Sequence, residues 1–333
     1  MTPLDRQTGI ITASGLAFVR NHAGVPVIDP AQHMLLVHGL VRRPMLFSLA
    51  DIMRFPATSR IGFIECSGNS APGWQRLGSG VQFSHGLLSC AEWTGVPLRT
   101  LLEEAGIESR ASWVVAEGAD GAAYDRSIPL ASTLNEALVV YGQNGEALRP
   151  EQGYPLRLIL PGCEGSANVK WLHRLKAVER PVYSREETAQ YARSNVDGTP
   201  LLFDLPMPVK SVITEPSPAR YVRQRGFIEI RGFAWSGRGR IRGVDVAIDG
   251  GKTWRAATLH EPNLPKALVR FTLPIAWDGL ALSIASRATD ETGDVQPTFD
   301  TWRDASHGDL RYHMNAIHSW TVTSEGAVEP SDA

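Results

Sequence analysis

The sequence predicts an α+β domain followed by an all-β sandwich of immunoglobulin type, and three observations support this prediction. The chain has 333 residues, which is more than one hydrophobic core usually supports. Helical and strand patterns mix up to about Pro200, whereas the later part shows only short alternating strands. The Pro-rich segment DLPMPVKSVITEPSPAR lies between the two patterns. We therefore place one domain at residues 1–205 and the second at residues 206–333.

The first domain shows one clear helix and several short buried strands. The helix begins near Val96, where Leu98, Leu101 and Leu102 share one face, and it ends at Gly106. The apolar runs RIGFIEC, SWVVAEG, EALVVYG and LRLILPG each end in Gly or Cys, which is typical of buried strands that lead into loops. Because such loops often carry functional residues, we expect the site at these strand ends.

The second domain shows a strand pattern without helical periodicity. Alternating apolar residues mark the segments GFIEIRGFAW, IRGVDVAIDGG and KALVRFTLPI. The pair Asp249-Gly250 is a strong signal for a β-hairpin. Strands at this spacing predict a sandwich of two sheets from about Lys210 to Val322.

Charge and hydropathy exclude several classes of partner. The formal net charge is -2 and no block of Lys and Arg recurs, so we expect no nucleic-acid binding. No apolar run reaches the roughly 20 residues that a membrane span requires. The first residues, MTPLDRQTGI, have neither a basic nor an apolar region, so no export signal is visible in this chain.

The chain has three cysteines, Cys66, Cys90 and Cys163, and no CxxC pair. A disulfide framework or a zinc site is therefore not expected, and the absence of CxxCH argues against a covalently attached haem. A single cysteine is by default a small buried apolar residue, and this interpretation suits Cys90 and Cys163.

Cys66 has a different setting, because the strand IGFIE runs directly into the polar turn CSGN. A turn of this kind can expose a thiolate, which is a soft ligand for a transition metal, and Gly68 allows a bulky ligand to approach the backbone. The alternative is a purely structural cysteine at a strand end.

Two further segments carry groups that suit an anionic ligand. In LAFVRNHAGVP, Arg20 offers a planar fork for an oxyanion or a phosphate, although a solvated loop is the alternative. In LRPEQGYPLRLILPGCEGSANVKWLHRL, glycines and cations surround one apolar strand, as a cofactor with a phosphate group would require. A plain strand with a basic loop is the alternative for this second segment.

Together these motifs resemble the sulfite oxidase family of molybdenum–pterin enzymes. FVRNH, ECSGN, AEGADG, GYPLRLILPG and NVKWL are similar to the cofactor-contact motifs of the family and occur in the same order. RATDETGDVQP and YHMNAIHSW are similar to its C-terminal dimerisation domain, so the resemblance runs from Leu4 to about Trp320. Within the family, the sulfane dehydrogenase branch, which works with a separate cytochrome c subunit, is the most similar.

The resemblance implies a molybdenum–molybdopterin cofactor and assigns residues to it. Cys66 becomes the protein ligand of the metal and a catalytic residue. Arg20 becomes the residue that faces the substrate, Tyr191 the active-site tyrosine, and Arg303 a weaker match to a substrate-pocket arginine from the second domain. The implied cofactor-binding residues are Phe18, Val19, Arg20, Asn21, His22, Asp120, Gln152, Arg157, Asn168, Val169 and Lys170.

The resemblance also implies the reaction and the partners. We expect oxidation of an inorganic or protein-bound sulfur species, sulfane or sulfite, with electrons passed to a cytochrome c on a separate chain. A homodimer or heterotetramer and a periplasmic location are further expectations. The alternatives left open are a sulfite dehydrogenase that acts on free sulfite, an oxo-transfer reductase of the same family and a non-enzymatic binding module.

One departure from the family bears on the substrate. Members that act on free sulfite continue the cysteine motif with an arginine pair after Asn, whereas this chain has Asn69-Ser70-Ala71. The missing charge favours a less anionic substrate, such as a sulfane or sulfonate group carried on a partner protein. On this interpretation, Ala71→Arg would lower the Michaelis constant for free sulfite.

Overall fold

The structure is a computed structural model and describes residues 1–72, 80–194, 197–306 and 309–331. The elements of the first domain are β1 (Met34–Gly39), β2 (Met45–Ser48), α1 (Leu49–Ile52), β3 (Thr58–Glu65), α2 (Val81–His85), β4 (Leu88–Pro97), α3 (Leu98–Ala105), β5 (Trp113–Gly118), β6 (Asp125–Pro129), α4 (Leu130–Thr133), β7 (Leu138–Gln143), β8 (Glu146–Ala147), β9 (Arg157–Ile159), β10 (Leu172–Val178), β11 (Arg193–Ser194) and β12 (Pro200–Leu201). The elements of the second domain are β13 (Lys210–Glu215), β14 (Gly226–Trp235), β15 (Ile241–Ala247), β16 (Arg255–Ala256), β17 (Thr258–His260), β18 (Val269–Trp277), β19 (Leu282–Asp290), α5 (Phe299–Ala305), β20 (Ser319–Val322) and β21 (Val328–Pro330).

Two sheets organise the first domain. One has the strand order β2-β1-β10-β5-β6, in which β1 and β10 run parallel and the other pairs are antiparallel. The other has the order β3-β4-β7-β8, with β9 beside β7. The four predicted strands correspond to β3, β5, β7 and β9. Because β3 ends at Glu65, the next residue, Cys66, stands where the strand leads into a loop, as predicted.

The predicted helix is α3, and its apolar face closes this part of the core. Leu98, Leu101, Leu102 and Ala105 are all buried. Burial of a leucine-sized side chain contributes about 1.5–3 kcal/mol, so this face holds the helix in place. The helix starts two residues later than Val96 because β4 continues to Pro97. Gly106 ends it in the left-handed conformation, which a residue without Cβ adopts at little cost.

The second domain is a sandwich of two sheets. One has the order β13-β14-β18-β17 and the other the order β16-β15-β19-β20-β21. Trp235, Phe271 and Trp320 lie fully buried between them. The predicted hairpin at Asp249-Gly250 joins β15 to β16 through a longer loop, because the Asp249 carboxylate accepts hydrogen bonds from the backbone N–H groups of Lys252 and Thr253.

One of the apolar clusters extends across both domains. The cluster that fills the sandwich also contains Phe63, Val81, Leu88 and Cys90 of the first domain. The contact between the domains therefore resembles a protein interior more than a mobile surface contact. The boundary predicted at 205/206 falls between β12 and β13 and stays a prediction.

In the part of the chain that the structure describes, no helix has the length and apolar character needed to cross a membrane.

Candidate active site

A pocket opens where β3, β4 and β9 meet the loops of the first domain. It is lined by Phe18, Arg20, Asn21, His22, Ile64, Cys66, Ser89, Asp120, Tyr124, Gln152, Arg157, Gly165, Ser166, Asn168, Val169, Lys170, Trp171 and Tyr191. The predicted motifs, which are far apart in the sequence, therefore line one cavity.

Cys66 stands at the start of a tight turn. Its backbone N–H donates to the Leu87 carbonyl at 2.9 Å, and its carbonyl accepts from the Asn69 N–H at 2.8 Å. Burial raises the pKa of the Cys66 thiol, against the opposing effects of a backbone hydrogen bond from Gly68 and of the Arg20 charge. The thiolate form therefore needs a strong positive partner, which a bound metal ion provides.

Two cations in the pocket, Arg157 and Lys170, have no carboxylate pair among the described residues. The buried Arg157 guanidinium donates to oxygen atoms of Gln152 and Asn168, and no carboxylate pairs with it among the described residues. Burial lowers the pKa of Arg157 to about 9. Lys170 donates to Asn21 Oδ1 at 2.6 Å, and burial with the Arg157 charge lowers its pKa well below the ordinary value. An anionic group such as a phosphate would relieve both costs.

An aromatic cluster forms another wall of the pocket. The Tyr191 hydroxyl lies 3.0 Å from Nε2 of His22, and the His22 ring stacks on Tyr124 with centroids 5.0 Å apart. Burial raises the pKa of Tyr191, so its hydroxyl keeps its proton at neutral pH. Burial lowers the pKa of His22 despite the nearby Glu186 carboxylate. A neutral imidazole nitrogen can accept a hydrogen bond from the Tyr191 hydroxyl.

Behind this wall lies a buried ionic network that the sequence analysis missed. Arg126 pairs with Glu164 at 2.8 Å and with Glu187 at 3.0 Å, and its guanidinium lies 4.8 Å from the centre of the Tyr191 ring. His313, from the second domain, contacts the other oxygen of Glu164 at 3.0 Å. Burial opposes ionisation of Glu164, but Arg126 and the hydrogen bond with His313 lower its pKa to about 2. The network fixes Tyr191 from behind.

The structure brings together the predicted site residues except Val19 and Arg303. The Val19 side chain is exposed outside the pocket lining. Arg303 lies on α5, where Asp300 at 2.9 Å and Asp304 at 3.1 Å bind its guanidinium at the surface. The structure therefore places Arg303 outside the pocket lining, beside acidic partners on its own helix, and its role in substrate binding stays a prediction.

Six lining residues were not among the predicted site residues, namely Ile64, Ser89, Tyr124, Gly165, Ser166 and Trp171. Several of them belong to the quoted motifs or lie beside them in the sequence. Their position in or beside the motifs was a signal for them. The sequence does not show, however, which side chains of a loop face the cavity, because this depends on the tertiary structure.

The environment of Ala71 corrects another expectation. Ala71 is fully buried and packs in a small apolar cluster with Trp302, Met314 and Ala316. It is not part of the pocket lining. An arginine at this position would place a charge among apolar side chains. The structure therefore gives no support for a gain in sulfite affinity.

Comparison with known proteins decides the family. An oxidoreductase molybdopterin binding domain matches residues 22–186, and a Mo-co oxidoreductase dimerisation domain matches residues 203–320. The chain is 33% identical over 314 residues to chicken (Gallus gallus) sulfite oxidase, a match that covers 86% of this chain and 68% of that protein. The chain belongs to the sulfite oxidase family. The predicted order of an α+β cofactor domain and a β-sandwich is thereby confirmed.

Other similar proteins place the chain within this family. It is 34% identical over 316 residues to the mitochondrial sulfite oxidase of Mus musculus, with 87% of this chain and 58% of that protein covered. The chain thus spans little more than half of that relative's length. The crystal structure titled sulfane dehydrogenase SoxCD from Paracoccus pantotrophus is 42% identical to it with a TM-score of 0.96, over 100% of this chain and 86% of the other.

The pocket fits the molybdopterin cofactor of the sulfite oxidase family, and the predicted cofactor is confirmed at the level of the family. Arg157 and Lys170 present positive charge without a carboxylate partner in the described part of the chain, which suits a phosphate. Cys66 supplies one soft ligand in the lining of the same cavity, which suits molybdenum. The individual roles of these residues stay predictions.

Proposed function

We propose that this chain catalyses the molybdenum-dependent oxidation of a sulfur species of the sulfane or sulfite class. The observation that carries the proposal is the pocket itself, whose lining contains Cys66 together with Arg20, Arg157 and Lys170. A soft ligand and a set of cations in one cavity suit both a metal–pterin group and an anionic sulfur substrate.

When bound, the molybdenum–molybdopterin group supplies two-electron oxygen-atom transfer, with water as the oxygen source. Arg157 and Lys170 would hold the phosphate end of this group, and Cys66 would ligate the metal. Arg20 would bind the sulfur anion. Tyr191, which keeps its proton because burial raises its pKa, would donate to the substrate a hydrogen bond that replaces its contact with His22 and orients the substrate.

The reaction balances with an external electron acceptor. The sulfur atom gains one oxygen atom from water and loses two electrons, and the two protons of the water are released to solvent. We propose that a cytochrome c on a separate chain accepts these electrons one at a time. Similarity to the structure titled sulfane dehydrogenase SoxCD supports a sulfane substrate.

Two further proposals concern the protein in the cell, and the matched dimerisation domain supports only the oligomeric part of them. We propose a periplasmic location and an assembly that is a homodimer or a heterotetramer with the cytochrome. Cell fractionation followed by immunoblotting tests the location, because a protein found only in the cytoplasm would contradict it.

The proposed substrate is tested by steady-state assays of the molybdenum-loaded protein with sulfite, thiosulfate and a sulfane donor, with cytochrome c as acceptor. We expect measurable but weak oxidation of free sulfite and faster oxidation of the sulfane donor. A low-micromolar Michaelis constant for sulfite would make this chain an ordinary sulfite dehydrogenase instead. Absence of stoichiometric molybdenum in the purified protein would contradict the enzyme class.

The proposed ligand is tested by Cys66→Ser. We expect this variant to lose turnover while keeping its fold and most of its pterin, because the metal loses its soft ligand but Arg157 and Lys170 remain. Metal analysis, pterin fluorescence and the sulfur oxidation assay measure the three properties. Cys90→Ser and Cys163→Ser are the controls and keep activity, because neither thiol lines the pocket. Full turnover by Cys66→Ser would refute the assignment.

A further inference from the structure

The loop that carries Cys66 is held on its far side by the second domain. The backbone N–H of His313 donates to the Ser67 carbonyl at 2.7 Å. The Ser70 hydroxyl lies 3.4 Å from the carbonyl of Met314. The segment around residue 313 thus contacts the loop immediately after Cys66, although it is far away in the sequence.

A buried ion pair between the domains fixes the same loop. Glu65, the residue before Cys66, has no exposed surface, and Lys210 of the second domain is 1% exposed. The Lys210 ammonium lies 3.0 Å from Glu65 Oε1 and 3.3 Å from the Asn69 carbonyl, and it also donates to the Ser70 hydroxyl. The Trp235 indole N–H donates to the other Glu65 oxygen at 2.7 Å.

The Asn69 side chain completes this arrangement and joins the two ends of the loop. Its amide N–H donates to Glu65 Oε1 at 2.9 Å, and its carbonyl oxygen accepts from the Leu87 N–H at 3.1 Å. Ser70 adopts a left-handed backbone conformation with φ of 62°, which an L residue keeps only when its surroundings hold it there. Lys210 binds residues on both sides of Cys66 and this strained residue.

A buried Lys–Glu pair contributes little net stability, because the loss of hydration offsets the attraction between the charges. Its directional hydrogen bonds do, however, restrict the geometry of the groups that they join. The position of Lys210 therefore suggests a role in fixing the loop rather than in holding the domains together, since the shared apolar core already does that.

We propose that Lys210 is a positioning residue for Cys66, and that the second domain thereby sets the geometry of the metal-ligating thiol. The proposal rests on the proposed function, in which Cys66 ligates molybdenum. The sandwich would then influence the chemistry of the site, in addition to any role in the association of two chains. Lys210 itself does not line the pocket and acts only through the Cys66 loop.

The experiment compares three variants of the molybdenum-loaded full chain. Lys210→Met removes the ammonium but keeps a chain of similar length. Lys210→Met/Glu65→Gln also removes the carboxylate charge that the first variant leaves buried. Lys266→Met is the matched control, because Lys266 pairs with Glu136 across the same two domains but away from Cys66.

Four properties are measured: the thermal midpoint, the molybdenum content, the thiolate-to-molybdenum charge-transfer absorption, and kcat and KM for the best sulfur donor. For Lys210→Met we expect a lower thermal midpoint and a shifted absorption band. We also expect kcat to fall by about tenfold or more while KM changes by less than about threefold, because a displaced thiolate misplaces the reacting groups without weakening substrate binding. The double variant should regain thermal stability but keep the shifted band and the low kcat. Lys266→Met should lower only the thermal midpoint.

Several outcomes would overturn the proposal. An unchanged band and kcat in Lys210→Met would do so, as would full recovery of both in the double variant, because the effect would then come only from an unpaired buried charge. If Lys210→Met does not fold, the double variant decides by the same two measurements. Failure of the proposed function is distinguishable, because the unsubstituted protein would then lack stoichiometric molybdenum and turnover. Failure of the ligand assignment is also distinguishable, because Cys66→Ser would then retain the absorption band and turnover.

Discussion

The environment of each thiol separates Cys66 from the other two cysteines. Burial raises the pKa of Cys90 and of Cys163 to about 12, and neither of them lines the pocket. Both therefore stay protonated at neutral pH and behave as small apolar residues. Cys66 shares the effect of burial, but it faces a cavity that also contains Arg20, so a metal can reach it.

The packing of Ala71 leads to a prediction at the scale of a single residue. Ala71→Arg is expected to lower the free energy of unfolding by about 3 kcal/mol or more, because it buries an unpaired charge among Trp302, Met314 and Ala316. The thermal midpoint and the molybdenum content of the variant measure this effect. Ala50→Arg is the control, since Ala50 is exposed on α1 and should tolerate the change.

The outcome for Ala71→Arg also distinguishes between two views of the substrate. If the variant folds as well as the unsubstituted protein and its KM for sulfite decreases, the side chain reaches the pocket and the apolar cluster does not confine it. In that case, the absence of an arginine at this position would limit the affinity of the protein for free sulfite.

The motifs allowed most of the candidate site to be predicted, and the exceptions have physical reasons. Arg157 and Lys170 stand beside one strand in the sequence, so their common location follows from local spacing. Glu164 and His313 are 149 positions apart, and no local pattern links them. Arg303 lies outside the pocket lining because its acidic neighbours in the sequence, Asp300 and Asp304, bind its guanidinium at the surface.

At the scale of elements, long periodic segments were predicted and short ones were not. The ten-residue strand β14 and the helix α3 bury a regular set of side chains, which leaves a visible period in the sequence. Strands β11, β12 and β16 have two residues each, so they have no period to detect. The π-helix Glu186–Gln190, which precedes Tyr191, has no signal in the hydrophobic pattern.

The contact between α2 and the start of β20 contains two enclosed histidines. The rings of His85, on α2, and His318, just before β20, lie 5.1 Å apart, and the His318 ring meets Trp320 edge-on. Nε2 of His318 is buried without a hydrogen-bond partner among the described residues. Burial and the positive charge of Lys210 lower the pKa of His318 to about 4, and burial lowers that of His85 well below the ordinary value.

These two histidines predict a loss of stability in mild acid. Their pKa values in the folded protein lie below the ordinary 6.5, so the unfolded chain takes up protons first as the pH falls. The stabilising contribution is therefore complete above about pH 6.5 and decreases as the pH falls towards the folded pKa. For His318, with a folded pKa of about 4, the loss amounts to about 3 kcal/mol.

Thermal unfolding of the protein and of His318→Phe at about pH 7.5 and about pH 5 measures this contribution. The phenylalanine keeps an aromatic ring beside Trp320 but cannot take up a proton. We expect the difference in thermal midpoint between the two pH values to be smaller in the variant. Equal differences in both proteins would mean that His318 does not contribute.

At the scale of the whole molecule, the sandwich has exposed apolar side chains at one end of its first sheet, beside charged residues such as Arg223 and Glu229. Tyr221 and Phe227 border one concavity, and the Phe227 side chain is 77% exposed. Leu280, which is 67% exposed, follows the end of β18, where Trp277 pairs with Gly226. Adjacent exposed apolar side chains of this size are typical of a surface that another protein covers.

The last prediction is that the protein forms a two-fold symmetric dimer through its second domain, in agreement with the Mo-co oxidoreductase dimerisation domain matched at residues 203–320. Light scattering should give about twice the chain mass of 36.3 kDa. Because an aspartate in place of a large apolar side chain places a charge in the interface, Phe227→Asp should weaken the dimer by about tenfold or more. Leu46→Asp, an exposed apolar position of the first domain, is the control and should remain dimeric. A monomer at all concentrations would refute the prediction, whereas a dimer unaffected by Phe227→Asp would place the interface on another face of the sandwich.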